Sequence, residues 1–127
     1  MAHNILIVDD SRVVRAVIAR TLRIAGVNLG QVLEASNGRE GLAALEANRV
    51  DLIFADLNMP EMNGIQMVEA MRQKGFMENI PVVIVSTERS LTRIEELKAK
   101  GVAAYLNKPF TPENIKEVLE HLLKPCA

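Results

Sequence analysis

Apolar residues along this chain follow two rhythms that alternate. Short continuous runs, ILIV at 5–8, LIFA inside DLIFAD at 51–56 and VVIV inside IPVVIVS at 80–86, are separated by stretches whose apolar positions recur every three or four residues. A continuous Val/Ile/Leu run reads as a strand covered on both faces. A spacing of three to four reads as one face of a helix.

After ILIVDD, the stretch SRVVRAVIARTLRIAG places Val14, Val17, Ile18, Leu22 and Ala25 on one helical face, and Gly26 can end that helix. QVLEA predicts a short second strand and Asn37-Gly38 a turn, and Leu42 and Leu45 predict a helix running to about Asn48. DLIFAD predicts a third strand, LNMPEMN a loop, and Ile65, Val68 and Met71 the helix behind it. IPVVIVS is the most strand-like run, with Pro81 tolerated near its start. Leu91, Ile94 and Leu97 predict a fourth helix with Ser90 or Thr92 as N-cap, Glu95 completing a capping box from Thr92. VAAYLN is a last strand. Thr111 as N-cap and Pro112 at the first helical position open a final helix with Ile115, Val118, Leu119 and Leu122 inward.

Five strand–helix units in alternation predict an α/β fold, a doubly wound five-stranded parallel sheet with helices on both faces. Right-handed crossovers and the flavodoxin-like strand order 2-1-3-4-5 are the expected topology. In such a sheet, ligands bind beyond the carboxyl ends of the strands, beside the switch point between strands 1 and 3. A length of 127 residues fits one domain over 1–127, and the expectation is that no effector domain follows the last helix. No internal repeat or low-complexity tract stands out.

Composition narrows the function classes. The formal net charge is −1 and the basic residues are scattered, which argues against a dedicated nucleic-acid binder. No apolar run approaches the roughly 20 residues that span a bilayer, and acids come too early for a secretory leader. The single cysteine, Cys126, excludes an internal disulfide, so a cytoplasmic location is expected.

Chemistry collects at the strand ends. Strand 1 ends in Asp9 and Asp10, strand 3 in Asp56, strand 4 in Ser86 and Thr87, and strand 5 in Asn107 and Lys108. Taken singly, each has a plain structural reading: an N-cap for the doublet, a turn for Asp56, a solvated loop lysine for Lys108. Together they fall at one edge. Two unit charges about 4 Å apart interact by roughly 4 kcal/mol at an effective dielectric of about 20. Three acids therefore need raised carboxyl pKa values, the lysine, or a divalent cation to coexist. Mg2+ suits oxygen ligands and takes one or two carboxylates, so Asp10 and Asp56 are the natural direct ligands. The Asn58 backbone carbonyl would complete the protein ligands and Asp9 would bind through a water. Asp56, with an acid pair, a hydroxyl and a lysine converging on it, is the candidate phosphoryl acceptor, and Lys108 and Ser86 would bind the transferred group.

These residues resemble the receiver (response-regulator) domain over the whole chain. The resemblance rests on VDDSR after strand 1, FADLNMPEMNG around strand 3, VIVST at strand 4 and YLNKPF at strand 5. The chain looks like a stand-alone member of chemotaxis type, a monomer that is a signalling phosphoprotein rather than an enzyme acting on other substrates. The resemblance implies that Asp56 takes phosphate from a histidine kinase's phosphohistidine, with Mg2+ at Asp10, Asp56 and the Asn58 carbonyl and Asp9 assisting. It also implies a cis Lys108-Pro109 peptide and a switch in which Tyr105 turns inward when Ser86 moves toward the phosphate. The helix from about Leu91 to Lys100, strand 5 and the last helix would form the read-out face, with Ile94 beside Tyr105 as a partner contact. Asn58 and Glu88 would tune dephosphorylation. Ser86 stands where threonine is commoner, and Thr87, where a small residue is frequent, would narrow access to the phosphoryl group. Downstream partners would be a flagellar motor switch protein or the phosphotransfer protein of a relay. A receiver cut from a longer regulator would look the same.

Three other classes fit less well. A haloacid-dehalogenase-like phosphatase needs a second acid two residues after the nucleophile, where DLN has Asn58. A flavin or nucleotide module needs a phosphate loop after strand 1, where this chain has an acid pair. A degenerate receiver would lack some of the acids, Ser86 or Lys108.

Overall fold

Alternate residues of each strand enter two different apolar clusters. The computed structural model describes residues 3–26, 28–57, 62–76, 80–86, 91–108 and 110–122. The elements run β1 His3–Val8, α1 Arg12–Ile24, β2 Leu29–Ala35, α2 Gly38–Ala47, β3 Leu52–Ala55, α3 Gly64–Gln73, β4 Val82–Ser86, α4 Leu91–Ala99, β5 Ala104–Asn107 and α5 Pro112–Leu122. All strand pairs are parallel, in the order β2-β1-β3-β4-β5. This is the architecture expected from the sequence.

Successive side chains of a strand leave opposite faces of the sheet. Leu6, Val8, Ile53, Ala55, Val82 and Ile84 therefore pack against Leu42 and Leu45 of α2, Met67, Val68 and Met71 of α3, and Leu97 of α4. Ile5, Ile7, Leu52, Phe54, Val83 and Val85 pack the other way, against Ile18 and Leu22 of α1 and Ile115 and Leu119 of α5. Burial on both faces explains why these strands lack polar alternation.

The helices start where short polar side chains can take their free N–H groups. The Ser11 hydroxyl accepts from the Val14 N–H at 3.2 Å, and the Asn37 carboxamide accepts from Glu40 at 2.9 Å. Asn63 and Gln66 cap each other's backbone reciprocally, and Thr111 does the same with Asn114, as its expected role requires. Thr92 does not cap α4: the helix begins at Leu91, so Thr92 lies inside it. Ser90 lies outside the described residues.

Val17 departs from expectation. It is 49% exposed, and with Val13 (73%) and Ile24 (63%) it lies on the outer side of α1. Ile18 and Leu22 set the inward line of that helix; Val17 sits one residue, about 100°, round from Ile18.

Gly64 seats the start of α3 against the end of β3. Its N–H donates to the Leu57 carbonyl at 3.0 Å, and a β-carbon there would stand 2.5 Å from the Asp56 carbonyl oxygen. The obstruction is backbone, which cannot swing aside. Gly64→Ala should cost about 1–3 kcal/mol of stability, read as a lower urea midpoint at unchanged slope; a wild-type midpoint would show that the turn yields.

Candidate functional site

The register places the acids. Val8 pairs with Ala55, so Asp9 and Asp56 leave the sheet level with one another on adjacent strands. The Asp56 N–H donates to the Val8 carbonyl and the Asp9 N–H to the Ala35 carbonyl, each at 3.0 Å. Asp10 follows as the last residue before the α1 cap. One oxygen from each of Asp9, Asp10 and Asp56 lies within 4.8 Å of the others.

Lys108 arrives from the far edge of the sheet. Its own N–H donates to the Ser86 carbonyl at 3.0 Å, fixing the chain as it leaves β5. Its ammonium then lies 3.3 Å from Asp9 Oδ2 and 3.8 Å from Asp56 Oδ2. Asp9 and Asp56 are buried, Asp10 is exposed, and the Lys108 side chain is about one-fifth exposed. Carboxylates in such surroundings repel strongly because little water screens them. One ammonium offsets one of three negative charges, and the remaining two match a divalent cation.

The donor set suits a hard cation. It is all oxygen, and an octahedral Mg2+ with ligands at about 2.1 Å places neighbouring ligand oxygens about 3 Å apart and opposite ones about 4.2 Å apart. The three acids approach that span. Asp10 offers the accessible side, where waters and an incoming group can reach.

Asp9 is held at every polar atom. Its N–H is bonded to β2, its Oδ2 faces Lys108, its Oδ1 accepts from the Ser11 N–H at 2.8 Å, and its carbonyl accepts from the Arg15 guanidinium. Arg15 in turn donates from Nε to Glu34 Oε1 on β2 at 3.0 Å, with only 14% of its side chain exposed. Sequence reading passed over Arg15. The signal was there: with Ile18 and Leu22 it forms an i, i+3, i+7 set, which puts a guanidinium on the inward face of α1 close to the acids.

Among the other expected site residues, Ser86 ends β4 fully buried, and its β4 position shares a sheet face with Val82 and Ile84. Tyr105 pairs in register with Ile84 and packs, half-buried, against that same layer. Ser86 and Tyr105 thus occupy one face of adjacent strands, two residue steps apart. Ile94 is half-buried on α4. Asn58, Thr87, Glu88 and Pro109 lie outside the described residues, and with them the Asn58 carbonyl, the pair expected to tune dephosphorylation and the Lys108-Pro109 peptide.

Known proteins resemble this chain in sequence and fold. The response regulator receiver domain family matches residues 5–120. Chemotaxis protein CheY1 of Helicobacter pylori is 38% identical over 121 residues, covering 94% of this chain and 96% of the relative. The CheY homolog of Campylobacter jejuni is 39% identical over 121 residues, covering 94% of this chain and 92% of the relative. Among solved structures, Vibrio cholerae chemotaxis protein CheY4 superposes with a TM-score of 0.85 at 36% identity, covering 96% of this chain and 99% of that one. The receiver domain of Francisella response regulator 1452 gives 0.84 at 27% identity, covering 96% and 97%. With the sheet order, the acid cluster and these matches in agreement, the chain belongs to the response regulator receiver domain family and is similar to its CheY-type chemotaxis members.

Proposed function

We propose that this chain is a phosphorylation switch in which Asp56 takes a phosphoryl group from the phosphohistidine of a histidine kinase. The observation that carries this reading is the placement of the Lys108 ammonium 3.3 Å from Asp9 and 3.8 Å from Asp56, with Asp10 beside them. A carboxylate flanked by a cation and a metal-type oxygen cluster is set up for attack on phosphorus.

Asp10 and Asp56, with the Asn58 carbonyl, would hold Mg2+. Asp9, whose carboxylate oxygens already accept from Ser11 and face Lys108, suits an outer role through water. When bound, the ion supplies charge neutralisation for the developing phosphoryl oxygens. The Asp56 oxygen attacks phosphorus in line, the bond from phosphorus to the donor imidazole breaks, and the imidazole leaves with the electron pair. Lys108 pairs with one phosphoryl oxygen. The Ser86 hydroxyl binds another, which requires it to shift from its buried position. Tyr105, on the same sheet face, follows into the space the hydroxyl leaves, altering the surface formed by α4, β5 and α5.

The phosphoryl group adds roughly two negative charges at neutral pH. Moving a two-state element from 1:99 to 99:1 takes about 5.5 kcal/mol of differential binding, beyond a single contact but within reach of Ser86, Lys108 and the ion together. The output is binding of a downstream protein such as a flagellar motor switch protein, with Ile94 beside Tyr105 in the contact and Asn58 and Glu88 setting the phosphoryl lifetime. The chain acts as a single cytoplasmic receiver unit, monomeric, with protein rather than nucleic acid or membrane as its target. Similarity to CheY-type proteins favours this output over a phosphorelay intermediate or the receiver of a larger regulator.

Acetyl phosphate with Mg2+ should label the protein with one hydroxylamine-labile phosphate, and Asp56→Asn should lose it; a label that survives in Asp56→Asn refutes Asp56 as acceptor. Mg2+ should raise unfolding stability by about 2.7 kcal/mol at a hundredfold excess over its Kd, measured in urea. Asp10→Asn should abolish most of that gain, and an undiminished gain would remove Asp10 from the ligands.

A further inference from the structure

Asp10 differs from its neighbours in how it is held. Asp9 is fixed at four atoms, and Asp56 and Lys108 are each bonded through their N–H groups to the neighbouring strand. Asp10 is exposed, and its side chain has no hydrogen-bond or ion-pair partner among the described residues. Among the described residues its direction is set through its backbone, meaning the two peptide groups on either side of it. The Asp10–Ser11 peptide is pinned where the Ser11 N–H donates to Asp9 Oδ1 at 2.8 Å. The Asp9–Asp10 peptide is pinned where the Asp9 carbonyl accepts from Arg15.

We propose that Arg15 is a positioning residue for this site: its guanidinium, braced against Glu34 of β2, orients the Asp9–Asp10 peptide and so aims the Asp10 carboxylate at the space it shares with Asp56. The proposal rests on reading the acids as a divalent-cation site. Arg15 is suited to the task because its fork meets two acceptors at once, the Asp9 carbonyl through one terminal nitrogen and Glu34 through Nε. The Glu34 contact limits rotation of the guanidinium plane. Glu34 sits next to Ala35, whose carbonyl takes the Asp9 N–H, so β2 supports Asp9 from both sides of its peptide. Outer partners of this kind change metal affinity by about 10- to 100-fold when removed.

The sign of the effect separates positioning from charge. Arg15 is a cation near an acidic group, so by charge alone its removal makes a divalent cation bind more tightly. Positioning predicts the reverse. In Arg15→Met, which keeps the aliphatic stem and loses the donors, the Kd for Mg2+ by calorimetry on the unphosphorylated protein should rise at least about tenfold. The Mg2+ concentration giving half-maximal labelling by acetyl phosphate should rise in step. The rate at saturating Mg2+ should stay near wild type, because Asp56 and Lys108 are untouched. Arg15→Lys keeps the charge and one donor and should show a smaller rise; if Arg15→Met fails to fold, a folded Arg15→Lys with wild-type or tighter affinity overturns the proposal. It is overturned equally if folded Arg15→Met binds Mg2+ as well as or better than wild type, or if the saturating rate falls while half-saturation stays put. Asp10→Asn in the same titration distinguishes the two failures: binding lost there but kept in Arg15→Met sinks the role of Arg15 alone, whereas a wild-type protein that binds no Mg2+ sinks the cation site and the proposal with it.

Discussion

The ion pairs from Lys108 to Asp9 and Asp56 tie together parts of the sheet that backbone bonding leaves apart. Lys108 follows β5, the outermost strand on its side, while Asp9 and Asp56 follow the two strands at its centre. Both carboxylates are buried, where repulsion between them is weakly screened. Without the ammonium, folding would bring the two like charges together in a poorly hydrated place with less to offset them. With it, part of the charge of Asp9 and Asp56 is offset, and the two acids with Asp10 form an all-oxygen group of the kind that could hold a metal ion. Stability and readiness for a cation are therefore two aspects of one arrangement.

That arrangement depends on register more than on the acids themselves. Pairing of Val8 with Ala55 levels Asp9 with Asp56, and a one-residue slip would turn every side chain of β1 to the opposite face. Register is secured in turn by the double apolar burial of Ile5–Val8 in β1, Leu52–Ala55 in β3 and Val82–Val85 in β4, all of them buried. Gly64 sets the start of α3 directly against Asp56 and Leu57, with its N–H on the Leu57 carbonyl and no room for a β-carbon beside the Asp56 carbonyl. Burial, register and turn geometry together set the positions of the charged groups.

Much of this was legible in the sequence because doubly buried strands write an unambiguous signal. ILIV, LIFA and VVIV could be assigned without structural help, and once their order was inferred the strand-end residues fell on one rim. What escaped was set by rotation about helix axes and by contacts distant in sequence. Val17 looked inward because its spacing to Val14 is right for a helix, yet Ile18 and Leu22 take that side and leave it at the rim. Thr92 has the chemistry of a cap, but Leu91 is already helical, so Thr92 lies inside α4. Arg15 was overlooked because an arginine in a first turn usually faces water. Its partner Glu34 is 19 residues away on β2, a pairing that local pattern does not encode.

The division of the core into two separate apolar layers has a mechanical consequence. Ser86 and Tyr105 belong by position to the layer shared with α2, α3 and α4, whereas α1 and α5 clamp the opposite side of the sheet. In the proposed switch, a movement of either residue would press first on the layer they share and would reach α1 and α5 through the strands between them. The sheet in this sense separates two sets of helices: α2, α3 and α4 meet the face that carries Ser86 and Tyr105, while α1 and α5 meet the opposite face of the same strands.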